Sequence, residues 1–337
     1  MPTLHITNGD HAADKLRGFV DGPIALARDV LHEGPCPAVD GDVWHQARGQ
    51  FLAAYAGGTP AEMKQSLAED DRTITEACRR GDQLVLWFEH DLFDQLEIIR
   101  VLDLAGRANG PALHPRASLI CIDRFPGVDR FTGLGQLTPQ QLATLAGTGV
   151  TVTAGHYKLA TDAWRAFRSP DPGDLERLAH ELSAAQLPVS EGGPALSFLG
   201  DALLRFLAEY PSTATGVSRT EELTLEVLLD GPAAAGAVFG ATQAREPRPF
   251  LGDSTFFEML QRLGSARIPL VTIDAGADHT DPRQRRIAIT EAGRDVIAGR
   301  ADHVRLNGID IWRGGVHLNG SDRSPWRWDA HRETLVS

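Results

Sequence analysis

The stretch Leu84-Val85-Leu86-Trp87-Phe88-Glu89-His90-Asp91-Leu92-Phe93-Asp94-Gln95-Leu96 constrains the fold more than any other part of the chain. An apolar run of strand length ends in three ionisable residues and then changes to a helical pattern, with Gln95, Ile98, Ile99 and Leu102 as its stripe. A strand covered by helices on both faces reads as such a run, and the helix that follows is the crossover parallel strands require. Open α/β sheets hold ligands outside the carboxyl ends of their strands, which is where Glu89, His90 and Asp91 fall. Asp91 has two readings, helix cap or acid ligand, whereas Glu89 and His90 are not favoured caps. A carboxylate near the positive end of that helix is expected to ionise readily, as suits a base or a metal ligand. Asp94 and Gln95, in the first helical turn, could reach the same space.

Three other segments end in the same way. Leu4 to Thr7 alternates as a strand and runs into Asn8-Gly9-Asp10, either a tight turn capped by Asp10 or an anion-receiving turn before a helix from His11 to Phe19. Pro23 to Ala27 leads into a loop dense in chemistry: Arg28, Asp29, His32, Glu33 and the Cys36 thiol, shaped by Gly34, Pro35 and Pro37. His32 and Glu33 are adjacent and would point apart in an extended segment. Cys36 is either a nucleophile or a half-buried structural thiol. Ala117 to Ile122 ends in Asp123-Arg124. Four polar strand ends in succession suggest one crevice. Helices are expected from Trp44 to Arg80, with Thr59-Pro60-Ala61-Glu62 as a start and a separate helix from Asp70, and again after Thr138-Pro139.

The second half carries a different pattern. Pro170-Asp171-Pro172-Gly173 and then Leu187 to Pro194 interrupt helical segments, and the domain boundary is expected near Pro188. Beyond it, Ser218-Arg219-Thr220-Glu221 opens a helix as a capping box, a short helix spans Ala233 to Phe239, and Asp253-Ser254 caps another to Leu263. Ile268 to Ile273 and Arg285 to Ile289 read as two strands, and Thr290 caps a last helix. Such an order resembles a winged-helix domain. Its reading helix would offer Thr255, Glu258, Gln261 and Arg262, and its wing Arg283, Arg285 and Arg286. The tail from Val304, which holds Trp312, Trp326 and Trp328, is expected to pack back on the first domain, with Asn307, Asp310, Arg313 and His317 as polar contributions. The expected fold is α/β: a Rossmann-like open parallel sheet domain over 1-187, a mostly helical, winged-helix-like domain over 188-303, and a tail over 304-337.

Composition removes several classes of function. A chain of 337 residues with 42% hydrophobic and 23% charged content has room for two cores and is not disordered in composition. The net charge of -12 disfavours sequence-independent binding of nucleic acid, which relies on neutralising phosphates. Cys36, Cys78 and Cys121 lack metal-type spacing, and an odd count suits a reducing compartment. Met1 to His5 leads straight into a strand with no signal-peptide pattern, and no apolar run nears the roughly 18 residues of a membrane span. A soluble cytoplasmic protein without a membrane partner is the expectation.

The segments LHITNGD with its AADKLR helix, RDVLHEGP, LVLWFEHDLFDQL, PSTATGVSRTE and RLNGIDIWRGGVHL together cover nearly the whole chain. In these the sequence resembles a bacterial family defined as a domain of unknown function, the DUF1835-like proteins. The resemblance implies a recurrent two-part architecture, and no activity carries over with it.

Three functions are compatible with these residues. The first is a hydrolase or transferase acting on a phosphate-bearing or nucleotide-like small molecule, with Glu89, His90, His32 and Glu33 as acid-base candidates. Asn8, Gly9, Asp10, Arg28, Arg124 and Gln95 would bind substrate, and Asp10, Asp29 and Asp91 would be oxygen ligands for Mg²⁺ or Mn²⁺. The second is a ligand sensor whose winged-helix pattern reads DNA. The third is an assembly protein that forms a homo-oligomer and uses its acids as caps and surface charge.

Overall fold

The structure, a computed structural model, describes residues 2–110, 114–184, 196–274, 281–321 and 324–337. The joint from Leu187 to Pro194, with the boundary expected near Pro188, lies outside the described residues. The chain forms two compact units: Met1–Leu203 with Gly314–Val316, and Leu204–Arg313 with His317–Ser337. Of the tail, only Gly314 to Val316 belongs to the first unit.

The first unit is mixed α/β. Its elements are β1 (Thr3–Thr7), α1 (Asp10–Leu16), β2 (Ile24–Leu26), α2 (Asp42–Ala56), α3 (Pro60–Arg80), β3 (Gln83–Glu89), α4 (Leu92–Ala108), β4 (Ala117–Ile122), α5 (Pro139–Ala143), β5 (Val150–Thr151), α6 (Ala154–Phe167) and α7 (Gly173–Ala184). The sheet order is β2-β1-β3-β4-β5. The four expected strands pair in parallel. The sheet is not wholly parallel, however, because β5 runs against β4, with Val150 opposite Leu119. Between them the only α-helix, α5, has five residues and rises about 8 Å, too short to carry the chain back along β4 for a parallel return.

Alternation along β3 assigns two cores. Val85 and Trp87 join Ala12, Leu16, Ile120, Leu134, Leu137 and Leu142 on the face covered by α1 and α5. Leu84, Leu86 and Phe88, all fully buried, face the opposite layer of α3, α4 and α6. The chain steps one way from β1 to β2 and the other way from β2 to β3 and β4. Right-handed crossovers therefore place α1 on one face and α2 to α4 on the other. Helix α3 is continuous, so the separate helix expected from Asp70 is absent; Thr59 and Glu62 do form a reciprocal capping box at its start.

The second unit contains α9 (Arg219–Val227), β6 (Ala233–Ala234), α10 (Ala235–Arg245), α11 (Asp253–Ser265), β7 (Val271–Asp274), β8 (Arg286–Ile289), α12 (Glu291–Ile297) and α13 (His303–Asn307). These follow α8 (Leu199–Leu207), whose residues divide between the units at Leu203. β6, β8 and β7 form an antiparallel sheet in that order. Strands β9 (Ile309–Arg313) and β10 (Val316–Gly320) pair with one another, as do β11 (Arg327–Asp329) and β12 (Thr334–Val336). Several details differ from the expectation: Ala233 and Ala234 form a third strand, the helix expected to end at Phe239 runs to Arg245, and β7 begins at Val271 rather than Ile268. Gly252, without a side-chain bond, occupies the cap assigned to Asp253 and Ser254, and Thr255 is buried rather than displayed. Among the described residues no helix is long and apolar enough to cross a membrane.

Candidate functional site

The order β2-β1-β3 reverses the chain's direction of travel between β1 and β3, which opens a crevice outside their carboxyl ends. The residues that meet there are held by one another's backbones. Asp91 caps α4, its Oδ1 accepting from Asp94 N at 3.0 Å. Asp94 is fully buried; its Oδ1 accepts from Asn8 Nδ2 at 2.8 Å and its Oδ2 from Glu89 N, so it ties the ends of β1 and β3 together. Gln95 Nε2 and the Cys121 thiol both donate to Glu89 O, at 2.8 and 3.1 Å, which adds the end of β4. Glu89 Oε1 accepts from Leu134 N. The chain can bring that amide so close because Gly133, with φ of +154°, precedes it: a Cβ there would lie 2.7 Å from Glu89 Oε2.

Three carboxyls, Glu89, Asp91 and Asp94, are thus 5%, 6% and 0% exposed in one place. Burial pushes all three above the usual carboxylate range, and repulsion by neighbouring carboxylates raises Glu89 and Asp94 further. Backbone amides and Asn8 only partly offset this. The expectation that a carboxylate here ionises readily is reversed: desolvation outweighs the helix terminus. Glu89 and Asp91 act on each other, the Asp91 charge raising Glu89, so the pair favours keeping a proton. Among the described residues none of the three makes an ion pair.

The other expected site residues separate from this cluster. His90, beside Glu89 but on alternating backbone, packs with the rings of Phe131 and Phe198 at 6.3 and 5.8 Å. His32 is buried edge-on to Phe93, and the Glu33 carbonyl accepts from Arg48. Asp29 is engaged by a two-pronged Arg48 guanidinium, Nε to Oδ2 at 2.8 Å and Nη2 to Oδ1 at 2.6 Å, deep in the unit. Asp10 pairs with Arg28 at 2.7 Å on the exposed rim, beside Gly9, where a Cβ would meet nothing within 4 Å. Arg124 is exposed and paired with its neighbour Asp123. Asp10, Asp29 and Asp91 are therefore each committed to a different partner, and they do not form the expected ligand set. Among the described residues no group of three or more His, Cys, Asp or Glu side chains is placed to hold a metal ion. Cys36 is fully buried and its thiol is pushed up to about 12 by burial, so it fills the structural role.

Cys121 and the Gly133-Leu134 amide were absent from the candidate set, and Asp94 was placed near it without a role. Asp94 carried a signal, since it stands three residues after the Asp91 cap; Gly133 carried none, because its partner is remote in sequence. The fold and site together define an α/β protein with a buried carboxyl cluster at its strand ends. No family profile matches the chain, and no curated protein matches it.

Proposed function

We propose that the first unit is the catalytic unit of a hydrolase or transferase acting on a phosphate-bearing or nucleotide-like small molecule, on a Rossmann-like sheet. The observation that carries this reading is the Glu89–Asp91 carboxyl pair, buried with Asp94 where β1 and β3 diverge and paired with no cation among the described residues. Each amide in the cluster could be satisfied by a neutral Asn, Gln or Ser at lower desolvation cost. Carboxyls retained there serve a purpose that neutral groups cannot, and strongly perturbed acids concentrate at active sites. In this reading the protonated member of the pair gives a proton to a leaving oxygen and the ionised member accepts one from water or a hydroxyl nucleophile. Asp94 positions Glu89 through its backbone N–H and Asn8 through its amide. Arg28 and Arg124, exposed at neighbouring strand ends and paired with Asp10 and Asp123, would exchange those partners for an anionic group.

Asn8 comes from LHITNGD, and Glu89, Asp91, Asp94 and Gln95 from LVLWFEHDLFDQL, the same segments that carry the DUF1835-like resemblance. The test is turnover of p-nitrophenyl phosphate, bis-p-nitrophenyl phosphate and nucleoside diphosphates, with and without Mg²⁺, by the full chain and by Glu89→Gln. Turnover that disappears in a folded Glu89→Gln protein supports the reading; equal turnover in the variant overturns it.

A second reading has its own observation. Helices α9, α10 and α11 with the β6-β8-β7 sheet follow the order of a winged helix, which supports a ligand-sensing regulator. The outward face of α11 sets Glu258 beside Gln261 and Arg262, and wing residue Arg283 is paired with Asp253, so duplex DNA is the less favoured partner. A salt-dependent mobility shift on duplex DNA, lost on changing Arg285 and Arg286, would reverse that preference.

A further inference from the structure

The first unit contains a second feature that the carboxyl cluster does not use. Arg72 and Arg79 of α3, Arg100 and Arg107 of α4, and the indoles of Trp44 and Trp164 line a cavity of about 350 Å³. Arg107 lies 16 residues after Asp91, about 24 Å along the helix, so the cavity is remote from the strand ends. Asp40 and Asp71 are the acids on its wall, in a chain whose net charge is -12. Both are already saturated: Asp71 pairs with Arg100 at 2.6 Å and His45 at 2.9 Å, and Asp40 with Arg168 at 2.6 Å and Arg107 at 2.8 Å. Arg72 is held by Glu69 and Glu76 of its own helix. Arg79 is exposed, and no ion pair or hydrogen bond engages it among the described residues. On the same wall Trp44, 3% exposed, has an indole N–H with no acceptor among the described residues.

Indole surface beside an unmatched guanidinium is complementary to an anion that has an apolar body. The guanidinium fork accepts a carboxylate or phosphate head, and the indoles shield the remainder from water. We infer that this cavity binds a small organic anion, a carboxylate or phosphate monoester, with its head on Arg79 and its body against Trp44 and Trp164. The proposal does not depend on the reaction assigned to the strand-end carboxyls.

Calorimetric titration of the full chain with benzoate, phenyl phosphate and inorganic phosphate tests it. One of the two organic anions should bind at a single site at least tenfold tighter than inorganic phosphate, and the preferred head distinguishes a carboxylate from a phosphate ligand. Arg79→Ala, an exposed change that leaves the fold intact, should weaken that binding tenfold or more. Ala68→Phe fills the cavity from a half-buried position on α3 without altering a charge, and should abolish binding in a protein that still melts cooperatively. No binding of either organic anion at millimolar concentration overturns the proposal, as does binding indifferent to both variants or matched by inorganic phosphate.

Discussion

Each unit holds a cluster of buried carboxyls, and the two clusters differ in what surrounds them. In the second unit Glu209 accepts from Arg205 at 2.6 Å and from Thr220 Oγ1 at 2.6 Å, while Arg205 also grips Glu246 at 2.9 Å. Burial alone would raise Glu209, but Arg205 and Arg313 outweigh it and hold the carboxyl down at about 2. In the first unit Glu89, Asp91 and Asp94 face one another and backbone amides, and they rise. A carboxylate that only braces a fold comes with its cation. Three that lack one are a cost that stability does not explain, and that contrast motivates the functional reading.

The comparison predicts opposite responses to pH. Glu97, buried on α4 and raised from 4.5 to about 8 by burial and by Asp29, keeps its proton in the native state where the unfolded chain has lost it. Stability from this group is therefore fully present below about 4.5 and falls as pH rises to about 8, by on the order of 4 kcal/mol. The strand-end carboxyls act in the same direction. Glu209 has the reverse sign: its contribution is present above 4.5 and is lost as pH falls toward about 2. Hydrogen exchange resolved by unit, between pH 4.5 and 8, should show the first unit weakening while the second does not, since burial lowers His303 and makes the second unit gain with rising pH. Glu97→Gln and Glu89→Gln should flatten the first unit's dependence; parallel behaviour of both units would break the contrast.

Removing a cation sharpens it further. Arg205→Ala removes the guanidinium that pairs with buried Glu209 and Glu246, and urea unfolding should report a loss of roughly 3–5 kcal/mol. Replacing Gly133 by alanine presses a Cβ onto the Glu89 carboxylate at positive φ, at about 1–3 kcal/mol, and turnover should fall with it. Smaller still is Ser218→Ala, which opens the Ser218–Glu221 capping box for about 1 kcal/mol without altering either carboxyl cluster. Arg124→Ala should cost less than about 1 kcal/mol, because the Asp123 pair is exposed; a larger loss in stability would mean that Arg124 has a structural partner.

What the amino-acid order determined by itself is local. The capping boxes at Thr59, Thr138 and Ser218, the Asp91 cap and the four apolar strands bounded by turns depend on residues within a few positions of one another. Their physics is complete inside one turn or one strand. The rest needed the fold. Strand β5 has two exposed residues and no pattern, so its direction follows from the connection before it. Asp29 looked like a metal ligand until Arg48, 19 residues on, was seen to enclose it. Leu134, 45 residues beyond Glu89, supplies the amide that anchors the cluster. The rise of three carboxyls comes from desolvation, a property of everything packed around a group rather than of its neighbours in sequence. Residue order named the acids, and tertiary burial decided which of them hold protons.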